Sequence, residues 1–290
     1  MGTKTPQIGC ERCRPYNGQG YRLEKNVDRE NPYPRVVPCE CVRPLCVCGA
    51  LHETEHIAGP GYAELADRAA DAVSERECPC WPIRQKIDRI NRLLVASRVD
   101  HVGTMLSDVQ GFVNGRPLPE TQVAVGTASS FIEHAAKGEK QKGLYIYGKT
   151  GGGKTYLASA LLNELIIRTA RPGLFVNVTQ QLFPRLRQTY EDDNRSETEM
   201  QVMGQLARVP YLVLDDLGVE RNTAWEAEVL YNIVDMRYRR RKEVIITSNV
   251  PPDEFENLSR GRITSRLKHM CVVIKMPDED LRQYFDYVVR

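Results

Sequence analysis

From residue 143 onward, short apolar runs alternate with stretches of helical period. The runs at 144–147, 174–178, 211–214, 244–247 and 271–275 read as strands. Helical spacing fills the gaps at 154–169, 180–190, 198–207 and 224–239. Strands apolar on both faces and separated by helices predict a parallel five-stranded sheet covered on both sides, an α/β fold. The segment 191–199 is polar throughout and is expected to be mobile. Upstream, residues 82–99 place Ile83, Ile87, Ile90 and Leu94 on one face. Arg84, Lys86, Arg89 and Arg92 lie on the others, an amphipathic helix with Pro82 in its first turn. Residues 100–119 look irregular, and a helix is expected over 120–137. Residues 1–80 hold no long apolar period, apart from an Ala-rich helical stretch at 61–77. The expected organisation is a Cys-rich domain (1–81), a helix and linker (82–119) and a larger domain (120–290).

The chain of 290 residues is 41% hydrophobic and 27% charged, enough to build an ordinary core. Its formal net charge of +2 does not mark a bulk nucleic-acid binder, so any DNA contact must come from a local patch. No apolar run approaches the roughly 20 residues that span a bilayer, and the start has no signal-peptide core. A cytoplasmic location without membrane contact is therefore expected.

Cysteine changes the picture for the first 80 residues. Eight of the nine cysteines form four close pairs: Cys10/Cys13, Cys39/Cys41, Cys46/Cys48 and Cys78/Cys80. Two thiolates so close in sequence reach one metal ion, whereas a disulfide between them would be strained. Eight thiolates suit two tetrahedral zinc sites, and metal would staple a segment too poor in apolar residues to hold itself together. The pairs combine either sequentially (Cys10, Cys13, Cys39, Cys41, then Cys46, Cys48, Cys78, Cys80) or nested, outer pairs together and inner pairs together. His52 and His56 stand near Cys48 as substitute ligands, though solvated histidines are the plainer reading. Cys271 opens an apolar strand and reads as a buried structural thiol.

Four motifs carry the chemistry. GKTGGGKT at 148–155 fits G-x-x-x-x-G-K-[ST], between an apolar run and a helix. Gly148, Lys149, Thr150, Gly151, Gly152 and Gly153 would cradle phosphate with backbone N–H groups. Lys154 would reach the β- and γ-phosphates, and Thr155 would ligate Mg²⁺. YLVLDDLG at 211–218 delivers two carboxylates from a buried strand: Asp215 for Mg²⁺ and Asp216 for the attacking water. VIITSNV at 244–250 ends on Asn249, placed to sense the γ-phosphate. GRITSRL at 261–267 sets Arg262 and Arg266 on one helical face. Arg266 is the better candidate to complete a neighbouring copy's site.

This ordered set resembles the DnaC/DnaI replicative helicase loaders, a branch of P-loop AAA+ (ASCE-type) ATPases that also holds the IstB transposition ATPases. The stretch 215–238 and the run from Cys10 through Gly18-Gln19-Gly20-Tyr21 to Cys41 are similar to segments of the DnaI-like members. The resemblance implies Walker A roles for Lys154 and Thr155, Walker B roles for Asp215 and Asp216, sensor 1 for Asn249 and an arginine finger for Arg266. It also implies an ATP/ADP- and Mg²⁺-dependent ATPase in which ATP acts as an assembly switch. Such an ATPase self-associates through its ATP sites and loads a hexameric replicative helicase onto single-stranded DNA. Eight cysteines exceed the one zinc site expected of the family. Only 14 residues follow Met276, so no C-terminal lid is expected, and Arg282 is a weak stand-in for a sensor-2 arginine. The basic run Arg237, Arg239, Arg240, Arg241, Lys242 is a candidate DNA patch, against the plainer reading of cations favoured at a helix C-terminus. An IstB-like transposition helper and a non-hydrolysing zinc-linked nucleotide-binding adaptor are the alternatives.

Overall fold

The five apolar runs pair, all parallel, in the order β6-β7-β8-β5-β9. These are β5 (Gly143–Tyr147), β6 (Gly173–Asn177), β7 (Tyr211–Leu217), β8 (Val244–Ser248) and β9 (Cys271–Lys275). The structure, a computed structural model, describes residues 10–16, 18–25, 34–46, 50–51, 78–191, 197–218, 223–256 and 261–284. Cys48, His52, His56, the expected helix at 61–77 and most of the polar stretch at 191–199 lie outside the described residues. The chain divides into two compact units, Met1–Arg92 and Leu93–Arg290.

In the second unit every residue of β5 except Tyr147 is buried, as are all five of β6 and of β8, which explains why these strands read as unbroken apolar runs. Helix α3 (Lys154–Thr169) is sunk against β6, β7 and β8, with buried residues on every side of it. Two polar residues on it are buried for a reason. Asn163 donates to the carbonyls of His101 and Thr104, and Glu164 accepts from the N–H of Leu106 at 2.9 Å. The rest of this unit comprises α2 (Pro119–Lys137), α4 (Phe183–Glu191), α5 (Glu199–Arg208), α6 (Ala224–Arg239) and α7 (Arg262–Met270). Thr198 and Thr223 form capping boxes at the starts of α5 and α6.

Three elements differ from the pattern-based expectation. The helix expected over 180–190 begins as a wider π-type turn, Val178–Leu182, before α4. The third core strand runs on to Leu217, so Asp215 and Asp216 lie within it and not beyond its end. The irregular segment 100–119 contains a 3₁₀ turn, Leu106–Asp108, and a short hairpin of β3 (Phe112–Val113) and β4 (Arg116–Pro117). That hairpin ties to the segment after β9: Arg116 pairs with Glu279, and Leu281 packs with Val113 and Leu118.

In the first unit, β1 (Tyr21–Glu24) and β2 (Arg35–Pro38) form an antiparallel ribbon. A 3₁₀ helix, Glu40–Leu45, follows. Helix α1 (Trp81–Ala96) begins directly after Cys80, with the N–H of Trp81 on the carbonyl of Cys78. Asn91 on α1 exchanges two hydrogen bonds with the backbone of Val36, and Lys86 lies over the ring of Tyr21. Among the described residues, no helix is long and apolar enough to cross a membrane.

Candidate functional site: a nucleotide cradle and two thiolate clusters

The loop 148–153 leads from β5 into α3 through backbone that L side chains resist. Gly151 and Gly153 both sit at φ 83°, and a side chain at Gly151 would collide with the Asp280 carboxylate. Lys154 opens α3 and folds back into this loop, donating to the carbonyls of Gly148 and Lys149 at 2.8 Å each. Burial lowers its pKa, and the charges of Asp216 and Asp215 oppose that shift.

Side chains of successive strand residues point to opposite faces, so Asp215 and Asp216 need a local irregularity to reach one site. Residue pairs Leu214/Ile246 and Leu217/Ser248 leave one more residue on β7 than on β8, a β-bulge at the acids. Asp216 takes a left-handed conformation there, at φ 57°, with its N–H held by the Thr247 hydroxyl at 2.9 Å. The same hydroxyl donates to Asp215 Oδ1 at 2.6 Å, and Thr155 donates to that oxygen at 3.0 Å. Asp215 is 3% exposed. Burial raises its pKa, and the hydroxyls of Thr247 and Thr155 work against that. Thr247 was missed from the sequence, where it looks like a β-former inside an apolar run. Asn249 is exposed, and its amide reaches Asp216 only at 3.5 Å.

Beside the loop lies a cavity of 660 Å³, lined by His101, Gln110, Tyr156, Gly151, Leu281 and Arg282 among others. Its far wall is the segment after β9. Met276 N–H bonds Tyr147 O at 2.7 Å, and Leu281 N–H bonds Gly151 O at 3.1 Å. This strap brings Arg282 close enough to lower the pKa of Lys154 further. Arg282 therefore belongs to the cradle's surroundings.

Arg266 is not free at the surface. Its guanidinium pairs with Asp235 of α6 at 2.7 Å and stacks on Tyr231, whose ring also carries Arg262 at 4.3 Å. The basic run is smaller than the sequence suggests, because Arg237 is fully buried. Its guanidinium bonds the carbonyls of Leu206, Val209, Pro210 and Glu243, capping the C-terminal end of α5 from inside. Burial pulls its pKa down to about 10, which leaves it charged at neutral pH. Arg239, Arg240 and Arg241 remain exposed.

The chain belongs to the IstB-like ATP binding protein family, which matches residues 83–285. It is 26% identical over 167 residues to the replicative helicase loader DnaI of Bacillus subtilis, covering 53% of this chain and 52% of that protein. It is 29% identical over 121 residues to the replicative helicase loader DnaC of Escherichia coli, covering 42% and 48%. A crystal structure of the DnaC helicase loader superposes with a TM-score of 0.51 at 25% identity, over 60% of this chain and 97% of that one. The chain thus spans about half the length of these two relatives. The fold is AAA+, as expected from the motif set.

Among the described residues of the first unit, seven thiols gather in two groups. Sulfurs of Cys10, Cys13, Cys39 and Cys41 lie within 4.8 Å of one another, and so do those of Cys46, Cys78 and Cys80. Of the two pairings left open by sequence, these groups follow the sequential one. In the first cluster Cys10–Cys39 is 3.4 Å, Cys13–Cys41 3.7 Å and Cys10–Cys13 3.9 Å. A tetrahedral zinc with sulfurs at about 2.3 Å sets them about 3.8 Å apart, so the cluster fits zinc. Backbone N–H groups and the Cys39 thiol draw Cys10 down to about 7, while burial pushes Cys39 up to about 12. Cys271 is buried, with its thiol pushed up to about 12, as expected of a structural residue.

Proposed function

We propose that this chain is an ATPase that loads a hexameric replicative helicase onto single-stranded DNA, with ATP as the assembly switch. The observation that carries this reading is the union, in one chain, of a DnaC-like ATP-binding unit and a thiolate unit that precedes it. Thr155 and Asp215 offer two hard oxygen donors 3.0 Å apart, a fit for Mg²⁺. The ion would neutralise charge between the β- and γ-phosphates. Lys154 exchanges its two loop carbonyls for phosphate oxygens, keeping its charge satisfied. Asp216, freed from regular strand geometry by the bulge, orients the attacking water. Asn249 reads the γ-phosphate from the same edge. Arg266 serves the site of a second copy, and turnover is slow without it.

The first unit would hold two zinc ions, one on Cys10, Cys13, Cys39 and Cys41, the other on Cys46, Cys78 and Cys80 with Cys48 as the expected fourth ligand. Zinc there would be structural: Cys10 and Cys13 would be tied to Cys39 and Cys41 at the start of the 3₁₀ helix, and Cys46 at its end to Cys78 and Cys80 just before α1.

The test is co-purification of the full chain with its host's replicative helicase, with ATP, with ADP and with no nucleotide. A complex that forms with ATP supports loading, and no complex in any state rejects it. The family match favours one other reading, an IstB-like helper of transposition. ATP-dependent filaments on duplex DNA, with no helicase complex, would establish it instead.

A further inference from the structure

Arg266 has five N–H groups to give, and three of them already donate hydrogen bonds within its own chain. Nε and Nη2 both meet Asp235 Oδ1, at 2.8 and 2.7 Å. Nη2 also donates to the Tyr231 hydroxyl at 3.1 Å, and Nη1 donates to the carbonyl of Arg262 at 3.1 Å. The rings of Tyr231 and Tyr238 lie 4.9 and 5.7 Å from the guanidinium carbon. The side chain is 21% exposed and that of Asp235 12%. A guanidinium bound this way cannot grip a phosphate with two parallel bonds unless it gives up the carboxylate.

We propose that Asp235 and Tyr231 are positioning residues that sheath Arg266 in the separate chain. Assembly then exchanges Asp235 for the triphosphate held on a second copy. The inference deepens the reading of Arg266 as the residue lent to a neighbour, and rests on it. Two features keep the exchange inexpensive. Asp235 Oδ2 already takes Arg239 Nε at 2.6 Å, so the carboxylate keeps a counter-charge when Arg266 leaves. Arg262 stays over the Tyr231 ring at 4.3 Å, so the aromatic face stays covered. The sheath thus sets how much protein, with ATP present, is needed before copies associate. It also keeps a bare guanidinium from binding stray anions.

The experiment follows ATP turnover against protein concentration for the full chain, for Asp235→Asn and for Tyr231→Phe. Losing one partly exposed ion pair should lower the half-maximal concentration about fivefold for Asp235→Asn. Tyr231→Phe, which keeps the ring and removes one hydrogen bond, should shift the curve the same way by less. A gain of this kind is not produced by structural damage, which weakens association. Half-maximal concentrations that stay the same or rise in both variants would overturn the sheath. In parallel, Lys154→Ala and Arg266→Ala proteins are mixed. Recovered turnover with unshifted curves removes the sheath alone. No recovery in the mixture removes the trans role of Arg266, and this inference with it.

Discussion

Replacing Thr247 with valine deletes one oxygen and keeps the side chain's shape, so no cavity opens. Two bonds go with it: the 2.6 Å donation to Asp215 and the 2.9 Å acceptance from the N–H of Asp216. A hydrogen bond to a buried charge contributes about 1.5–3 kcal/mol, and an orphaned buried N–H costs about 1–3 kcal/mol. Because Asp215 keeps Thr155 as a donor, and Asp216 is part-exposed, the lower half applies: a loss of about 2–4 kcal/mol. In urea that is a midpoint lower by about 1–2 M. With Trp81 replaced by phenylalanine, Trp225 is the one tryptophan left to report unfolding of the second unit. The effect depends on pH with a definite sign. The pKa of Asp215 is raised above its ordinary 3.8, so its contribution to stability is full below 3.8 and is lost as pH rises through the folded value. Removing Thr247 raises the folded value further. The gap between variant and wild type therefore narrows toward pH 4, to the part that comes from the Asp216 N–H, and is full at pH 7.5. Mg²⁺-dependent ATP turnover should fall about ten- to a hundredfold, as when the support of a metal ligand is lost. Equal urea midpoints at pH 7.5, or a gap that widens toward acid, would refute this account of the bulge.

Three further outcomes are expected. Arg237→Met should destabilise the second unit by at least about 3 kcal/mol in the same urea assay, since it orphans carbonyls at four positions. Arg239→Ala and Arg240→Ala, on exposed residues, should leave the stability within about 0.5 kcal/mol of the wild type. Mass spectrometry under native conditions should find two zinc ions per chain, and Cys78→Ser should remove one while sparing the Cys10 cluster. One ion in the wild type would refute the second site. Arg282→Ala should weaken ATP binding about tenfold, near 1.4 kcal/mol, read by titration with the protein held dilute; an unchanged Kd would place Arg282 outside the phosphate field.

Much of the site was legible because its chemistry is local in sequence. Glycines that must wind backbone around phosphate, and the lysine after them, sit side by side in 148–155, and the P-loop helix follows from the spacing of its apolar residues. The acids stand out because they follow directly on the apolar run 211–214 of a buried strand. The cysteine pairs announced candidate metal sites for the same reason, since two ligands one or two residues apart are a local matter. Thr247, Asp235 and Tyr231 escaped because their meaning lies in which strand or helix stands beside them. Thr247 is 32 residues from Asp215, and Asp235 is 31 from Arg266.

By itself, then, the sequence determined the alternation of strands and helices, the phosphate loop, the paired carboxylates and the thiolate pairs. Each is set by the backbone freedom, polarity or reach of residues a few positions apart. Tertiary structure alone decided three further points. The thiol pairs combine sequentially, Arg237 is buried among carbonyls while its neighbours stay in water, and Arg266 is held by its own chain. The physical reason is common to all three. A charge or a thiol acts on whatever lies within a few ångströms, and for each of these side chains packing brings at least one such partner from 27 or more residues away.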